Sequence, residues 1–283
     1  MARNDFPTGL VLDAHKRQAT DGVIVELAAP AQVLLALDQG SGSVLEPVVA
    51  VGEFVAVGTT IARPVDPYGA VLHSPVSGRV TAIAVRDAAS ETGSCRCVEI
   101  ENDGKDARDP ATGRDDPLSL EPPDLVDRLY DAGIAGLGGA AFPTATKLQA
   151  ARERTARRLL LNGAECEPWI CCDDALMRAE AGDVVLGARV LMHALEATSC
   201  VVVVEDDKPA AIEALRQAIS IAHVDDVVVE TVPAVYPQGA ERQLITAMTG
   251  VEVPSRGLPA DVGVTLPGTH RRTRKPLAAP SMA

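Results

Sequence analysis

Aromatic side chains are nearly missing from this chain: three Phe, three Tyr and one Trp among 283 residues, 2% of the whole. A sequence that is nonetheless 47% hydrophobic must therefore build its core from Ala, Val and Leu. Positive charge is also short. Lys and Arg number 26 against 39 Asp and Glu, a formal net charge of −13, and this excludes a nucleic-acid partner, which calls for a basic face. No apolar run approaches the roughly eighteen residues of a spanning helix, so any membrane attachment is expected to go through other subunits. The opening Met1-Ala-Arg-Asn-Asp-Phe-Pro7 has no apolar centre of the signal-peptide kind. The six Cys lack the Cys-x-x-Cys-x-x-Cys-x-x-x-Cys-Pro run of bacterial ferredoxins, and a cytosolic chain does not spend them on disulfides. Cys95 and Cys97 alternate within Ser94–Ile100 and share one face of a strand. The vicinal Cys171 and Cys172 do not turn easily into one tetrahedral site. All six are expected to be non-ligating, with Cys166 alone near chemistry. His73, His193 and His223 read as turn, surface or packing residues.

Lysine is absent from residues 1–104 except at Lys16. That decides how the first unit is read. Glu46–Gly58 and His73–Ile83 alternate apolar residues around turn glycines, the pattern of a small all-β barrel or sandwich. It resembles lipoyl- and biotinyl-carrier domains, yet a carrier needs a lysine at a hairpin tip, so residues 1–104 are expected to form a barrel-sandwich hybrid without carrier function. Residues 105–123, charged and rich in Pro and Gly, read as a linker.

An α/β unit is expected over 124–264. A strand at 158–162 is followed by one long helix from Asp173 to about Glu196, capped by Asp173 or Asp174, with Leu176, Leu186, Val190, Leu191 and Leu195 on its apolar side. Strands at 200–205 and 226–232 alternate with helices at 209–221 and from about Gly239 to Met248. This order implies a largely parallel sheet in two or three layers.

The densest signal is Gly133-Ile-Ala-Gly136-Leu-Gly138-Gly139-Ala-Ala-Phe142-Pro143-Thr-Ala-Thr-Lys147. Gly136, Gly138 and Gly139 leave main-chain N–H groups unshielded, as a loop moulded to a phosphate or a flat ring requires. Phe142 is one of only three Phe, Pro143 sets φ for a helix start, and Lys147 returns a positive charge towards the loop. Gly136-x-Gly138-x-x-Ala141 formally matches a dinucleotide fingerprint. That fingerprint needs a strand before it, whereas Leu125, Val126 and Leu129 mark a helix there. A Rossmann site is disfavoured, and a glycine turn packed between helices remains the bland alternative.

Two further segments carry chemistry: Asn162-Gly-Ala-Glu165-Cys166-Glu167-Pro168, at the end of a buried strand, and Tyr236-Pro-Gln-Gly239-Ala-Glu241-Arg-Gln-Leu244, at a helix start. With the glycine loop, in this order and spacing, they resemble the RnfC family of the Rnf electron-transport complex, itself similar to the flavin-bearing, NADH-oxidising subunit of respiratory complex I. The resemblance covers roughly residues 15–265. It implies a complex I flavin-subunit-like α/β domain in which Gly136, Gly138, Gly139 and Lys147 hold the phosphate and ring of FMN and Asn162 lies near the isoalloxazine. It further implies that Phe142 stacks on the nicotinamide nucleotide and that Glu165, Glu167 and Glu241 bond ribityl or NADH hydroxyls. Tyr236 and Gly239 would line the other side of the ring. The implied protein is a peripheral subunit on the cytoplasmic face of the inner membrane. It works with other membrane subunits of the Rnf complex, which couples electron transfer between NADH and ferredoxin to ion translocation.

The family carries two 4Fe–4S clusters in a later domain, whose ligands this chain lacks. After Val264 the sequence changes character over Thr265–Ala283, with four basic residues at 271–275, and this tail reads as disordered and non-native, the mark of a truncation or frame shift. A non-catalytic docking fragment and a cobalamin-reductase-like flavoprotein share enough of these motifs to stand as alternatives; the barrel preceding the glycine loop favours the RnfC reading.

Overall fold

The structure is a computed structural model, and it describes residues 9–16, 24–38, 43–88, 93–111, 116–136 and 142–268. Two compact units emerge: one contains the bulk of residues 26–119 with 126–146, the other residues up to Val25, 120–125 and 147 onward. Gly138, Gly139 and the tail from 269 lie outside the described residues.

The first unit is all β apart from its last segment. Strands β1 (Gln32–Ala36), β7 (Ser94–Asn102), β6 (Gly78–Asp87) and β3 (Phe54–Val55) form one sheet in that order, and β2 (Leu45–Pro47), β4 (Thr60–Pro64) and β5 (Leu72–His73) form another. Every pairing is antiparallel. Leu37, Leu45, Val55, Ile61, Leu72, Val80, Val98 and Ile100 share one core, built without an aromatic ring as the composition demands. This is the expected barrel-sandwich. The expected linker differs. Its first residues are laced to the barrel: Thr59 Oγ1 donates to Asp109 Oδ2 at 2.8 Å, and Val57 and Asp109 exchange main-chain bonds with Ala107 and Val57. A charged composition marks solvent exposure, but here the Asp side chains serve as turn acceptors.

Helix α1 (Pro122–Asp131) buries Leu125, Val126 and Leu129, and α2 (Thr144–Glu153) follows the glycine loop, so that loop does join helix to helix.

The second unit has a four-stranded parallel sheet in the order β10 (Val227–Val232), β9 (Ser199–Glu205), β8 (Arg158–Gly163), β11 (Val264–Thr265). Strands β8 and β9 are near-continuous apolar runs because both faces are covered. Leu160, Val203 and Val232 pack with Leu244 and Ile245 of α6 (Glu241–Thr249) on one face. On the other, Met177 of α3 (Cys172–Ala179) lies against Gly163, and α4 (Ala181–Leu195) and α5 (Pro209–Ala222) complete the layer.

Two expectations fail here. The long helix over 173–196 is two helices, interrupted at Glu180 (φ −129°, ψ 37°) just before Gly182, which lowers helix propensity at that point. Its buried residues are Met177, Val184, Val185, Ala188, Val190, Met192, Ala194 and Leu195, so Leu176, Leu186 and Leu191 sit at the flank. The fold also runs past Val264. Thr265 and Leu266 are buried, and the Asn162 N–H donates to Pro267 O at 2.9 Å; residues 264–268 continue the sheet edge beside β8.

Candidate functional site

Open parallel sheets place ligands beyond the carboxyl ends of their strands, and β8 ends at the sequence-identified residues. Asn162 points to the α6 face, where its Nδ2 donates to Gly239 O at 2.8 Å and its Oδ1 accepts the Ala164 N–H at 3.1 Å. Glu241 opens α6, and its carboxylate binds Lys147 Nζ at 2.9 Å. Lys147 donates also to Leu266 O at 3.3 Å, and the next residue, Pro267, accepts from Asn162. Lys147, Asn162, Gly239 and Glu241 thus close a hydrogen-bonded ring at the end of β8. Lys147 and Glu241 keep about a third of their side-chain surface open, 33% and 39%.

Glu165 is in a different situation. It is 2% exposed, Oε1 accepts the Asp173 N–H at 2.7 Å, and Oε2 accepts the Asp174 N–H at 2.9 Å. It caps α3 from eight residues away, satisfying two of the helix's unpaired donors with the charge the dipole favours. Asp173 and Asp174, expected as caps, make no side-chain cap bond. Cys172 Sγ approaches the same carboxylate at 3.3 Å, and burial first, then that carboxylate, pushes its thiol up to about 11. Glu167, two residues on, is exposed.

Behind this turn stands a pair that the sequence reading did not single out. Glu205, at the end of β9, and Lys208 are 1% and 4% exposed and lie 2.9 Å apart. Glu205 Oε2 also accepts the Glu165 N–H at 3.2 Å, while its Oε1 is buried without a partner. Burial pushes the Glu205 carboxyl up against the pull of Lys208. Lys208 is raised although burial opposes it, because Asp207 at 2.5 Å and Glu205 hold its charge in place. The usable sequence signal was Glu205-Asp-Asp-Lys208 directly after an apolar strand: a charge cluster where a parallel strand ends.

Tyr236 is partly exposed, on the segment leading to Gly239. A Cβ on Gly239 would stand 2.9 Å from Ala164 O and 3.5 Å from Cys166 Sγ, so this glycine serves the close approach of the two site loops.

The glycine loop is closed at its base. Gly136 N–H donates to Phe142 O at 3.1 Å, Thr144 N–H to Ile134 O at 2.9 Å, and Ala135 bridges Pro143. The Phe142 ring tilts against Tyr68 at 6.1 Å. Gly133 is a packing glycine: it has φ 64°, and a Cβ there would collide with Val71 O. Gly136 is not, for a Cβ would meet no described atom within 4 Å. Its smallness is unexplained by the protein's own packing.

These residues fit a flavin mononucleotide. Lys147 offers a partly open cation suited to a phosphate, and Glu241 and Glu167 offer acceptors suited to hydroxyls. In the first unit, Gly136 leaves open space of its own. No helix among the described residues is long and apolar enough to cross a membrane.

Comparison with known proteins agrees. A family model for the RnfC barrel sandwich hybrid domain matches residues 4–105, and one for the Nuo51 FMN-binding domain matches residues 129–270. The RnfC-type subunit of the ion-translocating oxidoreductase complex of Pasteurella multocida is 38% identical over 263 residues, 93% of this chain and 31% of that protein. Its Pseudomonas aeruginosa counterpart is 40% identical over 264 residues, again 93% of this chain and 34% of that protein. The chain therefore spans about a third of the length of these curated relatives. An NAD+-reducing [NiFe]-hydrogenase in the H2-reduced state matches in part, with 22% identity, a TM-score of 0.48, and coverage of 54% of this chain and 30% of that one. The chain belongs to the Nuo51 FMN-binding domain family, carries an RnfC barrel sandwich hybrid domain ahead of it, and aligns along its length with the RnfC-type subunits of ion-translocating oxidoreductase complexes.

Proposed function

We propose that this chain is the peripheral, NADH-side part of a membrane complex that couples electron transfer between NADH and ferredoxin to ion translocation, with FMN as its cofactor and the other subunits of the complex as its partners. Its place would be the cytoplasmic face of the inner membrane. The observation that carries this reading is the ring of Lys147, Asn162, Gly239 and Glu241 at the carboxyl end of β8, in a chain whose relatives are named as parts of an ion-translocating oxidoreductase complex.

Bound flavin supplies the conversion between hydride transfer and single-electron transfer. The protein's own part is binding and orientation. Lys147 neutralises phosphate charge, and Glu241 keeps the ammonium aimed. Asn162 fixes the main chain ahead of α6, so the Gly239 segment presents a flat wall beside Tyr236. Glu167 accepts hydroxyls of the ribityl chain or of NADH. Glu165 holds α3 in place rather than ligand. Gly136, Gly138, Gly139 and Phe142 enter by their loop sequence.

The test is FMN titration of the purified chain, followed by flavin fluorescence. Wild type should bind, and NADH should bleach the flavin absorbance. Lys147→Met should weaken FMN at least about tenfold, the loss of a charge-assisted bond, while the melting temperature holds because the ion pair is partly exposed. Wild-type affinity in Lys147→Met, or no FMN binding in wild type, would overturn the reading.

A further inference from the structure

Lys16, which the barrel does not use as a carrier lysine, lies on the main chain of the acidic turn in the α/β unit. Its Nζ donates to the carbonyl oxygens of Glu165 and of Ile170, the latter at 2.7 Å. Between those carbonyls runs Cys166-Glu167-Pro168-Trp169, with Glu167 exposed and Trp169 in the left-handed region at φ 68°. Two carbonyls converging on one point repel each other unless a donor sits between them, and an ammonium with three N–H groups suits that position. From the opposite side, Glu205 accepts the Glu165 N–H. The turn is therefore held at its carbonyls by Lys16 and at its amide by the Glu205–Lys208 pair.

The segment that brings Lys16 there is anchored by polar contacts. Leu10 exchanges both main-chain bonds with Tyr236, at 2.8 and 2.9 Å, and Ala14 O accepts the Trp169 N–H at 2.9 Å. The His15 ring stacks on the Trp169 indole, 4.9 Å away and 16° from parallel. The side chains of Leu10, Val11 and Leu12 stay exposed, so the segment is not seated here to bury apolar surface. Its hydrogen bonds join two stretches far apart in sequence, the turn at 165–170 and Tyr236.

We propose that Lys16 is a positioning residue for the nucleotide-binding side of this unit: it fixes the turn that presents Glu167 and, through residues 10–16, ties that turn to Tyr236. The assignment of NADH to Glu167 rests on the function proposed above; the clamp itself does not.

Trp169 is the only Trp in the chain, so its emission reports on this turn alone. In the full chain, Lys16→Met should keep the wild-type far-UV circular dichroism and FMN affinity. It should redden Trp169 emission, increase its quenching by acrylamide, and raise the NADH concentration for half-maximal flavin bleaching roughly tenfold, the effect of one lost charge-assisted bond. Lys16→Arg should return emission and half-saturation towards wild type, as a purely space-filling role would not require. Should Lys16→Met fail to fold, Lys16→Gln, which retains an N–H donor, carries the same measurements with smaller shifts. Wild-type quenching in a folded Met or Gln variant overturns the clamp, and altered quenching with unchanged NADH half-saturation overturns its role towards the nucleotide. If wild type binds no flavin, the proposed function fails, and Trp169 quenching still decides whether Lys16 holds the turn.

Discussion

At the scale of single residues, two glycines of the site are small for opposite reasons. Gly239 is small because Ala164 O and Cys166 Sγ leave no room for a Cβ; Gly136 meets nothing, and its φ lies outside the left-handed range. Gly239→Ala should therefore push the loops apart and destabilise the unit by about 1–3 kcal/mol, the usual cost of overpacking, visible as a lower urea midpoint. Gly136→Ala should leave that midpoint unchanged and yet weaken FMN if the loop faces the flavin. A destabilised Gly136→Ala would mean that the loop's glycines serve packing. The buried pair behaves differently again. Lys208→Met strands the Glu205 carboxylate in the interior, and a loss of about 3–5 kcal/mol is expected. Adding Glu205→Gln should recover much of it, and denaturant unfolding of the two variants measures both.

Elements were legible in the sequence where periodicity and burial agree. Arg158–Asn162 and Cys200–Glu205 read correctly because short unbroken apolar runs at that length suit a strand covered on both faces. The break at Glu180 was not legible, since the apolar pattern continues across it and only the weak signal of Gly182 marks it. Glu165 as the cap of α3 was hidden too, because its donors are supplied by tertiary folding rather than by the local Asp173-Asp174 pattern that usually signals a helix start. Residues 105–111 looked like linker because their Asp side chains suit solvent. In the structure Ser77 Oγ donates to Asp103 Oδ1 at 2.6 Å, and Asp109 accepts from Thr59 and from the Ala111 N–H at 2.9 Å. Hydrogen bonds from Ser77 to Asp103, and from the Ala111 amide and then Thr59 to Asp109, hold both carboxyls below their ordinary range. A folded pKa below the unfolded one adds stability that is complete above the ordinary carboxyl value, about 4, and drains as pH falls through the lowered folded values. The barrel unit should accordingly lose stability on acidification below about pH 4, and the Asp103→Asn, Asp109→Asn pair should flatten that slope. An equally steep acid transition in the double variant would place the responsible carboxyls elsewhere.

For the molecule as a whole, the open question is where electrons would go after the flavin, and the cysteines bear on it. Iron–sulfur clusters are ligated by thiolates, and a buried thiol resists ionising. Burial is the leading cause that pushes Cys97 up to about 11, Cys172 up to about 11 and Cys200 up to about 12, and it raises Cys166 as well. Geometry points the same way. Cys95 and Cys97 face each other at 3.7 Å on the barrel sheet, whereas Cys166, Cys171, Cys172 and Cys200 belong to the α/β unit, with Cys200 wholly buried in β9. A cubane needs four sulfurs around one centre, and within either unit this set would have to break a strand to supply them. Anaerobic reconstitution with iron and sulfide should therefore leave the chain without a cluster, its visible spectrum that of flavin alone. In that case electrons arriving from NADH would accumulate on FMN until an external one-electron acceptor took them: a stopped-flow trace should show one rapid bleaching phase, then a recovery whose rate scales with added acceptor. Stoichiometric iron and sulfide, with charge-transfer absorbance lost in Cys166→Ala or Cys200→Ala, would show that these thiols ionise and reorganise despite their burial, and an electron path inside the chain would then follow.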